Sequence, residues 1–366
     1  MNQYLNLDCM DTERGLPSLE SGSVSMLMID PPYFEVKGEF DFIWPTFEAY
    51  LVDVDRWAKE CARVLAPNGS LFWWGHAKKI AYSQIILDKY LTLENSAVWR
   101  KKECKTMAQS FDDSRVFTPI TERCLFYSQG KEPNEWQQTG WESVKLNTAN
   151  FGPLRDYFRT FQGNLGLSIK AINRALGNRR AEHAFYWGST QWNLPTEETY
   201  TDLLQLPLSN GWEPKPYEAL RKPYEALRQE YEALRQEYEE MRRPFQNEVH
   251  RLFDVWDFSQ EAHITKNYKH PTQKPPKLIR ALIDICTREG GLVVAPFGGS
   301  GVDGEQAILA GRRFIGYEID TEHFQTCCNR LETAKKNKAI ADAQTSLFQP
   351  DEIRATMVQG DLFNNE

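Results

Sequence analysis

The sequence predicts a doubly wound α/β core interrupted by helical inserts, and three observations carry that expectation. Short apolar runs that stop at proline or glycine turns occur in the first and last thirds of the chain. Stretches with helical spacing follow them. The middle third differs, being first basic and then periodic at seven residues. At 366 residues the chain is long enough for two or three domains, and 41% hydrophobic with 13% aromatic residues excludes global disorder.

Val24–Ile29 (VSMLMI) reads as a buried strand stopped by Asp30-Pro31-Pro32. Phe47, Tyr50, Leu51, Val54, Trp57, Ala58, Cys61, Val64 and Leu65 recur at helical spacing, and Pro67-Asn68-Gly69 closes that helix. Ser70–Trp74 and Arg123–Tyr127 follow as strands of an expected parallel sheet. A helix over Pro275–Arg288 precedes a strand, Gly291–Val294, which enters the loop Pro296-Phe297-Gly298-Gly299-Ser300-Gly301. A helix to about Gly311, a strand over Arg313–Glu318 and a helix over Thr321–Ala334 complete the core. Between the halves, Leu165 to about Leu206 reads as a compact helical module. Lys215–Phe245 repeats KPYEALR, KPYEALR, QEYEALR and QEYEEMR, with Tyr and Leu forming an a/d seam.

A net charge of −8 argues against non-specific coating of nucleic acid, yet the charge is uneven. Phe151–Thr190 carries Arg155, Arg159, Lys170, Arg174, Arg179 and Arg180 against Asp156 and Glu182. Thr265–Arg280 carries Lys266, Lys269, Lys274, Lys277 and Arg280 with no acid. No apolar run reaches the ~18 residues of a membrane span, and the start shows no secretory pattern. Seven scattered cysteines without a C-x-x-C pair fit free thiols in a reducing cytoplasm. Six histidines show no ligand spacing, so no metal is expected.

Asp30-Pro31-Pro32-Tyr33 ends a buried strand, where ligands bind in a doubly wound sheet. Prolines remove backbone N–H groups, leaving carbonyls as pure acceptors beside a carboxylate. That set suits an exocyclic amine, and the tyrosine ring suits a planar base. The late glycine loop between a strand and a helix lets the backbone approach a cofactor, and Glu318 at the next strand end suits ribose hydroxyls.

Asp30–Tyr33, His270-Pro271-Thr272-Gln273-Lys274-Pro275, Pro296–Gly301 and Gly316–Asp320 together resemble the amino-group (N6-adenine/N4-cytosine) DNA methyltransferases. The order is that of their β group, and the resemblance covers roughly residues 4–130 and 265–332. It implies an S-adenosylmethionine-dependent methyltransferase core acting on a flipped-out base in double-stranded DNA. Asp30 and the Pro31 carbonyl would accept from the target amine, Pro32 would stiffen the turn and Tyr33 would stack. Asp at the first position favours adenine N6. Cytosine N4 is the alternative. Asp8, Thr272, Gln273, Lys274, Phe297, Gly298, Gly301 and Glu318 match the cofactor-binding positions. Ala295 stands where the family loop begins with Asp, which admits a third reading, a DNA-binding regulator with impaired catalysis.

On this reading residues 1–148 and 246–334 are the catalytic and cofactor halves of one core. Residues 149–212 form a recognition insert, 213–245 a projecting heptad helix and 335–366 a polar tail. Within the insert, Leu165–Gln191 resembles a helix-turn-helix whose second helix spans Arg179–Trp187. Lys170, Arg174, Arg179 and Arg180 would meet DNA there. The heptad helix is expected from near Lys222 to about Arg243, and its seam suits either a homodimer or packing on its own core. Gln344-Thr345-Ser346-Leu347-Phe348 resembles a peptide for a sliding clamp.

Overall fold

The computed structural model describes residues 2–36, 41–102, 119–130, 136–189, 191–209, 211–259 and 273–347. The chain begins with β1 (Asn2–Leu5), β2 (Val24–Ile29), α1 (Phe47–Val64), β3 (Leu65–Gly75), α2 (Ile80–Leu87), β4 (Thr92–Lys102) and β5 (Thr121–Ser128). Next come helices α3 (Trp136–Leu165), α4 (Ile169–Leu176), α5 (Glu197–Leu204) and α6 (Tyr217–Met241). It returns through β6 (Val255–Ser259), α7 (Pro276–Cys286), β7 (Leu292–Ala295), α8 (Val302–Leu309), β8 (Arg313–Tyr317) and α9 (Thr321–Leu347).

The eight strands form one sheet in the order β1-β8-β7-β2-β3-β5-β4-β6. The first five in that order run parallel, as expected. β5 is antiparallel to both β3 and β4, so the sheet is mixed where an all-parallel one was expected. β1, β4 and β6 were not anticipated. β4 (TLENSAVWRKK) has no apolar run, and pairing with β5 and β6 makes it a strand. Side chains alternate across the sheet with period two. Met26, Met28, Phe72 and Trp74 pack with residues of α7 and α8, whereas Leu27, Ile29, Leu71 and Trp73 pack with α1. Both faces are therefore covered.

The chain divides into two compact units, residues 1–132 with 243–366, and residues 133–242. The first unit holds the sheet. The second joins what the sequence separated into a recognition insert and a projecting helix. Leu220, Tyr224, Leu227 and Tyr231 of α6 share one apolar cluster with Phe151, Phe158 and Trp192. The first half of the heptad seam is thus covered by the same chain, which corrects the projecting helix and removes this surface from a homodimer. The helix also starts at Tyr217, ahead of Pro223, rather than at Lys222. An interior proline costs about 3 kcal/mol. Burial of Leu220 at 1% exposure and the ring contacts of Tyr224 offset that cost.

The helix-turn-helix is also corrected. α4 is capped by Ser168, whose side chain accepts from Ala171 N, and stops at Gly177 with φ 69°. The expected second helix is a single 3-10 turn, Glu182–Phe185. Glu182 accepts from Arg179 and Asn173, while Phe185 and Trp192 enter the apolar cluster, so the segment follows its side chains instead of a helical ladder. The polar tail expected from residue 335 continues as α9 to Leu347. Ion pairs Lys335–Glu332 and Lys338–Asp342 line that solvated stretch. Gln344–Leu347 belong to this helix, and Phe348 lies outside the described residues. Among the described residues, no helix is long and apolar enough to cross a membrane.

Candidate active site

The connections leaving β2 and β7 run in opposite directions along the sheet, so a crevice opens between the carboxyl ends of these adjacent strands. β2 delivers Asp30–Tyr33 to it, β7 delivers the loop Pro296–Gly301, and β8 delivers Glu318.

Asp30 is held on both oxygens. Lys274 Nζ donates to Oδ2 at 2.6 Å, and the Tyr33 hydroxyl donates to Oδ1 at 2.6 Å. The turn is set by Asp41, 2% exposed, whose side chain accepts from Tyr33 N at 2.5 Å and whose carbonyl accepts from Glu35 N at 2.8 Å. Burial, reinforced by the Asp30 and Glu122 charges, raises the Tyr33 phenol well above its ordinary value, so it remains a donor.

Lys274 is 4% exposed, with its ammonium 5.0 Å from the Trp74 ring. Sequence matching assigned Lys274 to the cofactor, but its ammonium lies on Asp30. Residues 270–272, including Thr272, lie outside the described residues. Sequence reasoning also missed Glu122, which sits 3.3 Å from Lys274 Nζ and 2.5 Å from Lys101 Nζ. Burial alone would push the Glu122 carboxyl up and the Lys274 ammonium down. The charge pairs reverse both, holding Glu122 low and Lys274 above the ordinary lysine value. An acid at the start of a short strand was the only signal for Glu122.

Glu318 is positioned by backbone donors, Gly299 N to Oε2 at 2.6 Å and Asp320 N to Oε1 at 2.9 Å. Its backbone N–H donates to Leu5 O at 3.0 Å, which brings the loop carrying Asp8 beside it. Asp8 is exposed, and its Oδ1 accepts from Met10 N at 2.8 Å. Phe297 meets Trp57 edge to face at 5.0 Å. An added Cβ at Gly298 would stand 3.0 Å from Tyr4, and Gly301, at φ 77°, lies against Cys327. Side chains at either position would displace the loop. Ile319, 71% exposed beside Glu318, adds an apolar surface that sequence reasoning did not single out. Gln273 lies 2.9 Å from Arg330, which also reaches Ser300 O in the glycine loop.

The N6/N4 DNA methylase family model matches residues 24–329. The chain belongs to the N6/N4 DNA methylase family. It is 39% identical over 87 residues to DNA adenine methyltransferase YhdJ of Escherichia coli K12, covering 24% of this chain and 30% of that relative. It is 40% identical over 87 residues to type II methyltransferase M2.DpnII of Streptococcus pneumoniae, covering 24% and 32%. The matched stretch thus spans about a third of each relative's length. A longer match, 23% identical over 332 residues, is to type II methyltransferase M.HpaI of Haemophilus parainfluenzae, covering 89% and 74%. Among solved structures, a DNA modification methylase of Thermus thermophilus, TTHA0409, complexed with S-adenosyl-L-methionine, aligns over 92% of this chain and 96% of that one. The identity is 16% and the TM-score 0.48.

N6/N4 DNA methylases take their methyl group from S-adenosylmethionine, and the acceptors this chain presents fit that molecule. With one backbone donor on each oxygen, Glu318 keeps acceptor capacity for two ribose hydroxyls. The missing side chain at Gly298 lets the loop pack closely on Tyr4 and Glu318, which sets the loop beside the Glu318 carboxylate.

The expected DNA contacts separate. Arg179 is paired with Glu182, and Arg180 with Glu198 and Asp202. Arg155 is 2% exposed and donates to the carbonyls of Trp187 and Ser189. Lys170 and Arg174 are exposed on α4 and make no ion pair among the described residues.

Proposed function

We propose that this methylase transfers a methyl group to the N6 amine of a flipped-out adenine in double-stranded DNA. The observation that carries the reading is Asp30, an oriented carboxylate at the end of β2 beside the Pro31 carbonyl and across the switch point from the glycine loop. Asp30 and the Pro31 carbonyl accept the two amine hydrogens, which draws the nitrogen lone pair out of conjugation with the ring. Tyr33, pinned by its hydroxyl, offers its ring to the base. Bound S-adenosylmethionine supplies an electrophilic methyl, held by Glu318, Phe297, Gly298, Gly301 and the Gln273 segment. Lys170 and Arg174 reach phosphate or base edges of the DNA.

Cytosine N4 presents the same two hydrogens and is the second reading. The regulator reading weakens because Ala295 is a fully buried strand residue paired with Gly316, while the Glu318 and Asp30 sites beside it are intact. Labelled methyl transfer to DNA, followed by digestion to nucleosides, tests the proposal. Asp30→Asn is expected to lower turnover by at least about 10²-fold while sparing cofactor binding. Near-normal turnover in that variant would defeat the role given to Asp30, and label in N4-methylcytosine would defeat the adenine assignment. Cofactor-independent DNA binding with no transfer would restore the regulator.

A further inference from the structure

The Asp30 site is one end of a row of alternating charges. Asp30, Lys274, Glu122 and Lys101 are linked by contacts of 2.6, 3.3 and 2.5 Å. Glu122 on β5 stands opposite Trp99 on β4, and Lys101 lies two residues further along β4, on the same face as Trp99. The side chains of Glu122, Lys101 and Lys274 are 13%, 19% and 4% exposed and so are shielded from water, while that of Asp30 is 28% exposed.

We propose that Glu122, braced by Lys101, is a positioning residue for methyl transfer that sets how firmly the Lys274 ammonium engages Asp30. This rests on the reading of Asp30 as the acceptor of the target amine.

The distances carry the argument. Lys274 Nζ donates to Asp30 Oδ2 at 2.6 Å and to the Tyr33 hydroxyl at 3.5 Å, and pairs by charge with Glu122 Oε2 at 3.3 Å without a hydrogen bond. Lys101 takes the other Glu122 oxygen at 2.5 Å, so Lys274 leans toward Asp30. Glu122 still shares the ammonium, which limits its competition with an incoming amine for the Asp30 lone pairs. Removing the Glu122 charge leaves two cations facing each other and commits Lys274 to Asp30. Removing Lys101 has the opposite effect, freeing Glu122 to draw Lys274 away. Charge balance at Glu122 therefore adjusts the acceptor without touching substrate.

Two measurements on the full chain test this. Glu122→Gln is expected to lower kcat about tenfold, equivalent to about 1.4 kcal/mol, with the calorimetric Kd for S-adenosylmethionine unchanged. The Glu122→Gln, Lys101→Met double variant should recover only part of that loss, because it relieves the facing cations without restoring the carboxylate that shares Lys274. Wild-type kcat in Glu122→Gln, or a double variant no better than the single one, would overturn the positioning role. A crystal structure of Lys101→Met reads the geometry independently of turnover. Lys274 Nζ should move from Asp30 toward Glu122, and an unchanged position overturns the proposal. Absence of methyl transfer by the unsubstituted protein would instead overturn the assigned reaction, leaving this crystallographic test to decide the positioning on its own.

Discussion

Arg330 donates to the Gln273 side-chain oxygen at 2.9 Å, joining helix α9 to the residue before Lys274. The same guanidinium, 3% exposed, reaches Ser300 O at 3.1 Å and Glu305 Oε2 at 2.7 Å. One buried cation thereby ties the Lys274 segment, the glycine loop and helix α8 together.

Arg330→Ala should therefore loosen both ends of the site at once. Glu305, whose side chain is 21% exposed, loses its charge partner, and the Gln273 and Ser300 oxygens lose a donor, so stability falls. Thermal unfolding should show a lower Tm, and calorimetry should show weaker cofactor binding. Arg330→Lys should recover only part, because an ammonium cannot reproduce the planar fork. Unaltered cofactor affinity in Arg330→Ala would show that the tie does not shape the loop.

Asp303, 8% exposed in the first turn of α8, gives the protein a pH signature. Burial first, then the charge of Asp30, pushes its carboxyl up to about 7, against the opposing charges of Lys274 and Arg330. The native state binds this proton more tightly than the unfolded chain, so its contribution to stability falls as pH rises from about 4 to about 7. A shift from 3.8 to about 7 corresponds to at most roughly 4 kcal/mol. Asp303→Asn should flatten the fall, stabilising the protein at pH 8 relative to wild type more than at pH 5. Parallel stability curves for the two proteins between those values would refute this.

The heptad segment should behave as a core element of residues 133–242. Leu220→Ala, at a site 1% exposed, is expected to destabilise by about 2–5 kcal/mol. The sedimentation coefficient of the folded full chain should not change, since the half of the seam that holds Leu220 is already occupied. Dissociation of an oligomer in this variant would reinstate the coiled-coil dimer.

Asp30, Phe297, Gly298, Gly301 and Glu318 were legible in the sequence because each belongs to a local pattern, an apolar run with the turn that stops it. β2, β7 and β8 were legible for the same reason. Glu122, Arg330 and the true seat of Lys274 were not, because charge pairs between residues as far apart as 30 and 274 leave no periodic trace. The heptad repeat showed which face of α6 is apolar, but periodicity cannot say what covers that face. Packing of Leu220 and Tyr224 with Phe151 decided it. The second half of the supposed helix-turn-helix failed similarly. Basic residues near a Leu-Gly turn match a recognition helix in composition, yet Glu182 captured Arg179, and the aromatic cluster drew Phe185 inward. Sequence determined the elements whose backbone and side-chain preferences agree over four to eighteen residues. Tertiary structure decided where unlike segments meet, because the energy of a buried charge or an apolar face depends on its partner.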